Sequence, residues 1–152
     1  MKKSLKLFIV CYILAIVGMC FLPQTFYPQL NSIETPGIQH FGRITAILTP
    51  FNTLVHFGKI PSLWDVFVVI LQNITNIFLL FPLVLAILLL RRNAVKLSKV
   101  VLMTFCMSLS IELTQVILDL LFEFDRVFEI DDLMTNTLGG VIAYQTYRIL
   151  RK

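Results

Sequence analysis

Glu112 stands inside an apolar run, Ser108-Leu-Ser-Ile-Glu112-Leu-Thr-Gln115, with Val100 to Met107 before it and Val116 to Leu118 after it. A carboxylate at the centre of a membrane helix costs about 2.5–3.5 kcal/mol on insertion scales, so such a residue is read by default as part of a functional site. Further along come Arg126, then Glu129-Ile-Asp131-Asp132, then Asn136-Thr-Leu-Gly139-Gly140. These residue types allow two chemistries. Glu112 could act as a general acid or base, with Asp131 and Asp132 as oxygen ligands for Mg²⁺ or Ca²⁺. Alternatively, the Arg126 guanidinium could hold a phosphate while asparagine amides complete a binding site. Two plainer readings stand beside them. The Asp131-Asp132 pair suits the first turn of a helix, where carboxylates meet free backbone donors. The Glu112, Arg126, Asp132 and Asn136 groups could also form a buried network that only holds helices together.

The elements that must position these groups are membrane helices. Only 14% of the 152 residues are charged and 57% are hydrophobic, whereas a soluble domain carries about 25% charged residues. The net charge of +4 does not point to nucleic acid, because the basic residues cluster beside apolar runs. Four spans are expected in one domain over 1–152, an all-α polytopic membrane protein. The first is 7–22, which is short for the roughly 20 residues of a span. It lacks an A-x-A cleavage site and is read as a retained helix rather than a signal peptide. The others are 64–90, 97–122 and, shortest, 133–147. Pro82 is expected to kink the second. The connector 23–63 is broken by Pro23, Pro28, Pro36, Pro50 and Pro61. Within it, 43–58 is apolar yet too short to cross, which predicts an interfacial or re-entrant segment. His40 and His56 there read as ordinary loop histidines. Cys11, Cys20 and Cys106 sit in apolar runs without metal-type spacing.

Charge sets the orientation. Of 13 Lys and Arg, all but Arg43, Lys59 and Arg126 lie at the termini or in 91–99. The positive-inside rule places those segments, and both termini, in the cytoplasm of a multi-pass cell-membrane protein. Every acidic residue falls in an outer connector or an outer half-span. At about 1.5 Å per residue, Asn73 and Glu112 lie roughly 10–12 Å below the outer ends of their spans. Asn136 lies slightly shallower. Asn73 and Asn76 share a helix face, as do Glu112 and Gln115. Their amides serve either helix packing or ligand contact. A pocket open to the extracytoplasmic side follows, lined by Asn73, Asn76, Glu112, Gln115, Arg126, Asp131, Asp132 and Asn136. Because these groups stop in the outer half, transport is disfavoured. The sequence contains no Gly-rich phosphate loop, HExxH or GxSxG.

The order of these residues resembles the VanZ-like family of bacterial membrane proteins. The shared pattern is Pro50-Phe51; Asn73-x-x-Asn76 followed by Phe81-Pro82; Ser108-x-x-x-Glu112-x-x-Gln115; Arg126; Glu129-Ile-Asp131-Asp132; and Asn136-Thr-x-Gly139. It extends over 48–143. The chain departs from the family in having Leu83-Val84 where glycine is frequent, Glu129 where aspartate is frequent, and Ala143 where a further glycine is frequent. The resemblance implies a small polytopic envelope protein and a link to susceptibility to the glycopeptide teicoplanin. It does not imply a reaction. The expected ligand is a membrane lipid head group or a lipid-linked wall precursor. The alternative is an intramembrane carboxylate- or metal-dependent enzyme acting on a lipid or lipid-phosphate.

Overall fold

Three long helices carry most of the apolar sequence: α1 (Lys2–Phe21), α3 (Leu63–Leu90) and α4 (Leu97–Phe122), each long and apolar enough to cross a membrane. The computed structural model describes residues 2–21, 36–60, 62–91, 95–122, 124 and 126–151. Pro23, Pro28, Glu34, Pro61, Arg92, Glu123, Asp125 and Lys152, on which parts of the loop and charge reading rested, lie outside the described residues. α3 starts where its sequence says it should. Ser62 is extended, its hydroxyl accepts from the Asp65 amide at 3.2 Å, and Asp65 occupies the first turn. That is a capped, dipole-matched helix start. Pro82 removes one donor from the ladder, yet α3 remains one helix through it. The Tyr12 hydroxyl of α1 donates to the Leu79 carbonyl just before the proline.

The last helix, α5 (Ile130–Leu150), is longer than the expected 133–147. Its composition does not place it with the three most apolar helices. Its packing makes it central: it lies against α3 along its length and against α4, while α3 and α4 touch each other little. Two glycines allow this. A Cβ on Gly139 would fall 1.9 Å from the Ile77 carbonyl oxygen of α3, and one on Gly140 would fall 2.2 Å from the Thr104 hydroxyl of α4. Small residues at a membrane-helix interface let backbones approach to van der Waals contact. Ala143, fully buried, extends the same face one turn on. Around it sit Leu80, Val84 and Leu88 of α3, Val100 of α4, Tyr147 of α5, and Ile16 and Cys20 of α1. Outward-facing apolar residues such as Leu14, Leu102 and Leu121 stay exposed, as expected for a protein whose solvent is lipid.

The all-α expectation omits a small sheet. β1 (Gln39–Phe41) and β2 (Ile44–Ile47) form an antiparallel hairpin, and β3 (Val127–Glu129) adds parallel to β2. Gly42, at φ 65°, takes the first position of the two-residue turn, where a side chain is disfavoured. Strands of three or four residues are too short to show a reliable alternation, and the β2–β3 pairing joins two distant connectors. The segment 43–58 is therefore a strand followed by two short turns, α2 (Asn52–Val55) and a 3-10 turn at Phe57–Lys59. These short elements do not confirm a re-entrant passage, and they fit the interfacial alternative equally.

Candidate functional site

The middle of α3, the middle of α4 and the first turns of α5 bring polar groups from all three helices together. On α3, the Asn76 amide donates to the Asp132 carboxylate of α5. On α4, the Ser108 hydroxyl donates to the Asp132 carbonyl at 3.3 Å and accepts from the Asn136 amide at 3.0 Å. Glu112, one turn beyond Ser108, is 2% exposed, and its carboxylate accepts from the Glu129 backbone amide at 3.4 Å. Spacing explains the alignment: Ser108 and Glu112, and likewise Asp132 and Asn136, are four apart and stack on one helix face. β3 then delivers Glu129 to the top of α5. Glu112 lies within electrostatic reach of Asp132, Glu129 and Arg126.

Four other expected site residues bond outside this cluster, Arg126 while staying within electrostatic reach of Glu112. Asn73 donates back to the Val69 carbonyl of its own helix at 3.0 Å. Gln115 reaches across to the Cys20 carbonyl at 2.9 Å and ties α4 to the end of α1. Arg126 donates its backbone amide to Asp119 at 3.1 Å and reaches the Met19 carbonyl with its guanidinium at 3.5 Å. Asp131 is buried, and both of its oxygens are engaged: one accepts from the Phe51 amide at 2.6 Å, the other from the Asn52 amide at 2.9 Å. It thus caps α2 from a distance rather than capping its own helix. Phe51 adopts a left-handed conformation, φ 54°, that turns these two amides toward it. The Asn52 side chain completes the knot, donating to the Pro36 carbonyl and meeting His56 Nδ1 at 2.8 Å. Among the described residues, no three His, Cys, Asp or Glu side chains converge in a way that would hold a metal ion.

Electrostatics mark Glu129 as a strained acid. Burial, then the charges of Asp132 and Asp131, push its carboxyl from the ordinary 4.5 up to about 8. The unfolded chain releases this proton near the lower value and the folded chain near the higher one. Between them the folded state holds more protons. Its stability therefore falls as pH rises from about 4.5 to about 8, and levels off above that. Glu129→Gln is expected to flatten this fall, read as the Tm of the detergent-solubilised protein against pH. An unchanged slope in the variant would assign it to another group.

Ser108, Glu129 and Asn52 were not singled out as site members from the sequence. Ser108 carried a signal, since it precedes Glu112 by one helical turn. Glu129 carried one only through the Glu129-Ile-Asp131-Asp132 pattern, and the β2–β3 pairing is what brings it to Glu112. Asn52 followed the Pro50-Phe51 pair, but its bonds depend on Asp131 from the far end of the chain. A family model described as VanZ/LLP1 matches residues 8–151. No match was found among curated proteins or among solved structures.

Proposed function

The chain belongs to the VanZ/LLP1 family, and from that premise we propose that it is a bacterial envelope protein that binds a lipid head group or lipid-linked wall precursor. In this reading the bound lipid alters access of glycopeptides of the teicoplanin type to the cell surface. The observation that carries it is the convergence of Asn76, Ser108, Glu112, Glu129, Asp132 and Asn136 where the middles of α3 and α4 meet the first turns of α5. Asp132 and Asn76 are half-buried while Glu112 and Asn136 are fully enclosed, so the group runs from partly accessible to buried positions. α5 is the fourth span in this arrangement. At about 1.5 Å per residue its length matches a bilayer core of roughly 30 Å. The positive-inside rule then puts both termini in the cytoplasm and the site and sheet outside. Leu54, Val55 and Phe57 are exposed beside Leu63 and Trp64. That apolar rim would rest in the outer interface of the bilayer.

Replacement of Glu112 by glutamine tests the reading, because it preserves shape while removing charge. Arg126→Lys is its companion. Both variants should insert and keep a cooperative thermal transition, yet lose most of the change in teicoplanin susceptibility conferred by the parent chain. A stable Glu112→Gln protein with full effect would remove Glu112 from the site. A cellular lipid composition that shifts only when Glu112 is intact would instead support an enzyme acting on lipid.

A further inference from the structure

Asn136 is 2% exposed, and its side-chain oxygen has no hydrogen-bond partner among the described residues. Its orientation is fixed by Ser108. The Ser108 hydroxyl gives its one proton to the Asp132 carbonyl, so what it offers Asn136 is a lone pair, and only the Nδ2 side of the amide can face it. Oδ1 is left as a buried acceptor, a state native proteins seldom leave without a reason. The chemistry around it is one-sided. Asp132 lies one turn above on the same helix, Glu112 one turn beyond Ser108 on α4, and Glu129 at the end of β3. All of these offer oxygen. The Asp132 and Glu112 carboxylates already accept from the Asn76 amide and the Glu129 backbone amide and keep further lone pairs, whereas Asn136 Oδ1 accepts from no described group.

We infer that this group of oxygens receives a primary ammonium, carried by the head group of a zwitterionic phospholipid. The inference rests on the proposed lipid-binding function and names its ligand class. An ammonium has three donors and no acceptor, which is the complement of Asn136 Oδ1 with the Asp132 and Glu112 carboxylates. A phosphate alone would meet repulsion from the carboxylates. A quaternary ammonium supplies charge but no N–H, so Asn136 would stay unpaired. Arg126, near enough to Glu112 for their charges to interact, places a cation where the phosphate of the same head group would follow.

The test uses the full chain in detergent and native mass spectrometry with added phosphatidylethanolamine, phosphatidylcholine or phosphatidylglycerol. Phosphatidylethanolamine should be retained about tenfold better than phosphatidylcholine, the scale expected for losing the N–H bonds to charged acceptors. Glu112→Gln should erase most of that preference. Asn136→Leu should reduce it as well, and a thermal transition shows whether each variant is folded. Equal retention of phosphatidylcholine would overturn the ammonium assignment. Preference for phosphatidylglycerol would overturn it too, while leaving the head-group reading standing. If no lipid is retained, the head-group reading fails with it. Stabilisation by free ethanolamine with no lipid retained would keep the ammonium and remove the lipid as its carrier.

Discussion

Gly139→Ala lowers the stability of the solubilised protein by about 3 kcal/mol or more, at the upper end of what overpacking does in a dense core. The added Cβ would sit 1.9 Å from the Ile77 carbonyl oxygen. That atom is backbone in the middle of α3 and cannot swing aside as a side-chain end would. One of the two helices must move by more than an ångström. Because α5 also carries Gly140 against Thr104 on the opposite side, it has little freedom to retreat toward α4. Fluorescence-detected thermal unfolding and cross-linking between α3 and α5 measure the effect. Leu138→Ala serves as comparison, since Leu138 is exposed beside the same glycine and should change little. A Gly139→Ala protein with the parental Tm would mean that α5 does not approach α3 this closely.

Asp131→Ala is expected to release the connector between α1 and α3 from the bundle. The carboxylate takes two backbone amides, those of Phe51 and Asn52, at 2.6 and 2.9 Å. Hydrogen bonds to a charged group contribute about 1.5–3 kcal/mol each, and removal of the acceptor leaves the donors unsatisfied. A loss of about 3–5 kcal/mol follows for the pair. The left-handed Phe51 adds to the release, because nothing then holds a bulky residue in a conformation it disfavours. Asp131→Asn should be nearly as damaging, since one amide N–H would face a backbone N–H. Limited proteolysis reads the outcome: new cleavage within 36–59 in both variants, none in the parent. Protection unchanged in Asp131→Ala would show that the β2–β3 pairing alone secures the connector. The same residue had looked from sequence like a metal ligand or a cap of its own helix. In the structure it serves the helical turn that Pro50-Phe51 begins.

Much of the membrane architecture was legible in the chain. Runs of apolar residues bounded by lysine and arginine reach bilayer length by simple addition, so α1, α3 and α4 follow from composition and rise per residue. The order of Ser108, Glu112, Asp132 and Asn136 was legible for the same reason: helical spacing is local, and four residues make one turn whatever surrounds them. The resemblance carried by those residues led to the VanZ/LLP1 family, which the match over 8–151 shows.

What the chain alone left open depends on contacts between residues far apart in sequence. Asn73 and Asn76 are equivalent by spacing, yet one bonds its own helix and the other reaches Asp132, because only the rotation of α3 against α5 distinguishes them. Gln115 shares a face with Glu112 but is claimed by the end of α1. The sheet needs two connectors to meet, and strands of three or four residues gain their stability from that meeting rather than from propensity. Asp131 and Asp132 are neighbours that point to different partners. Local sequence thus determined which helices form and which polar residues share a face. The tertiary structure alone decided which of those polar groups are satisfied by backbone and which remain turned toward one another, since that is fixed by the close approach of α5 that Gly139 and Gly140 permit.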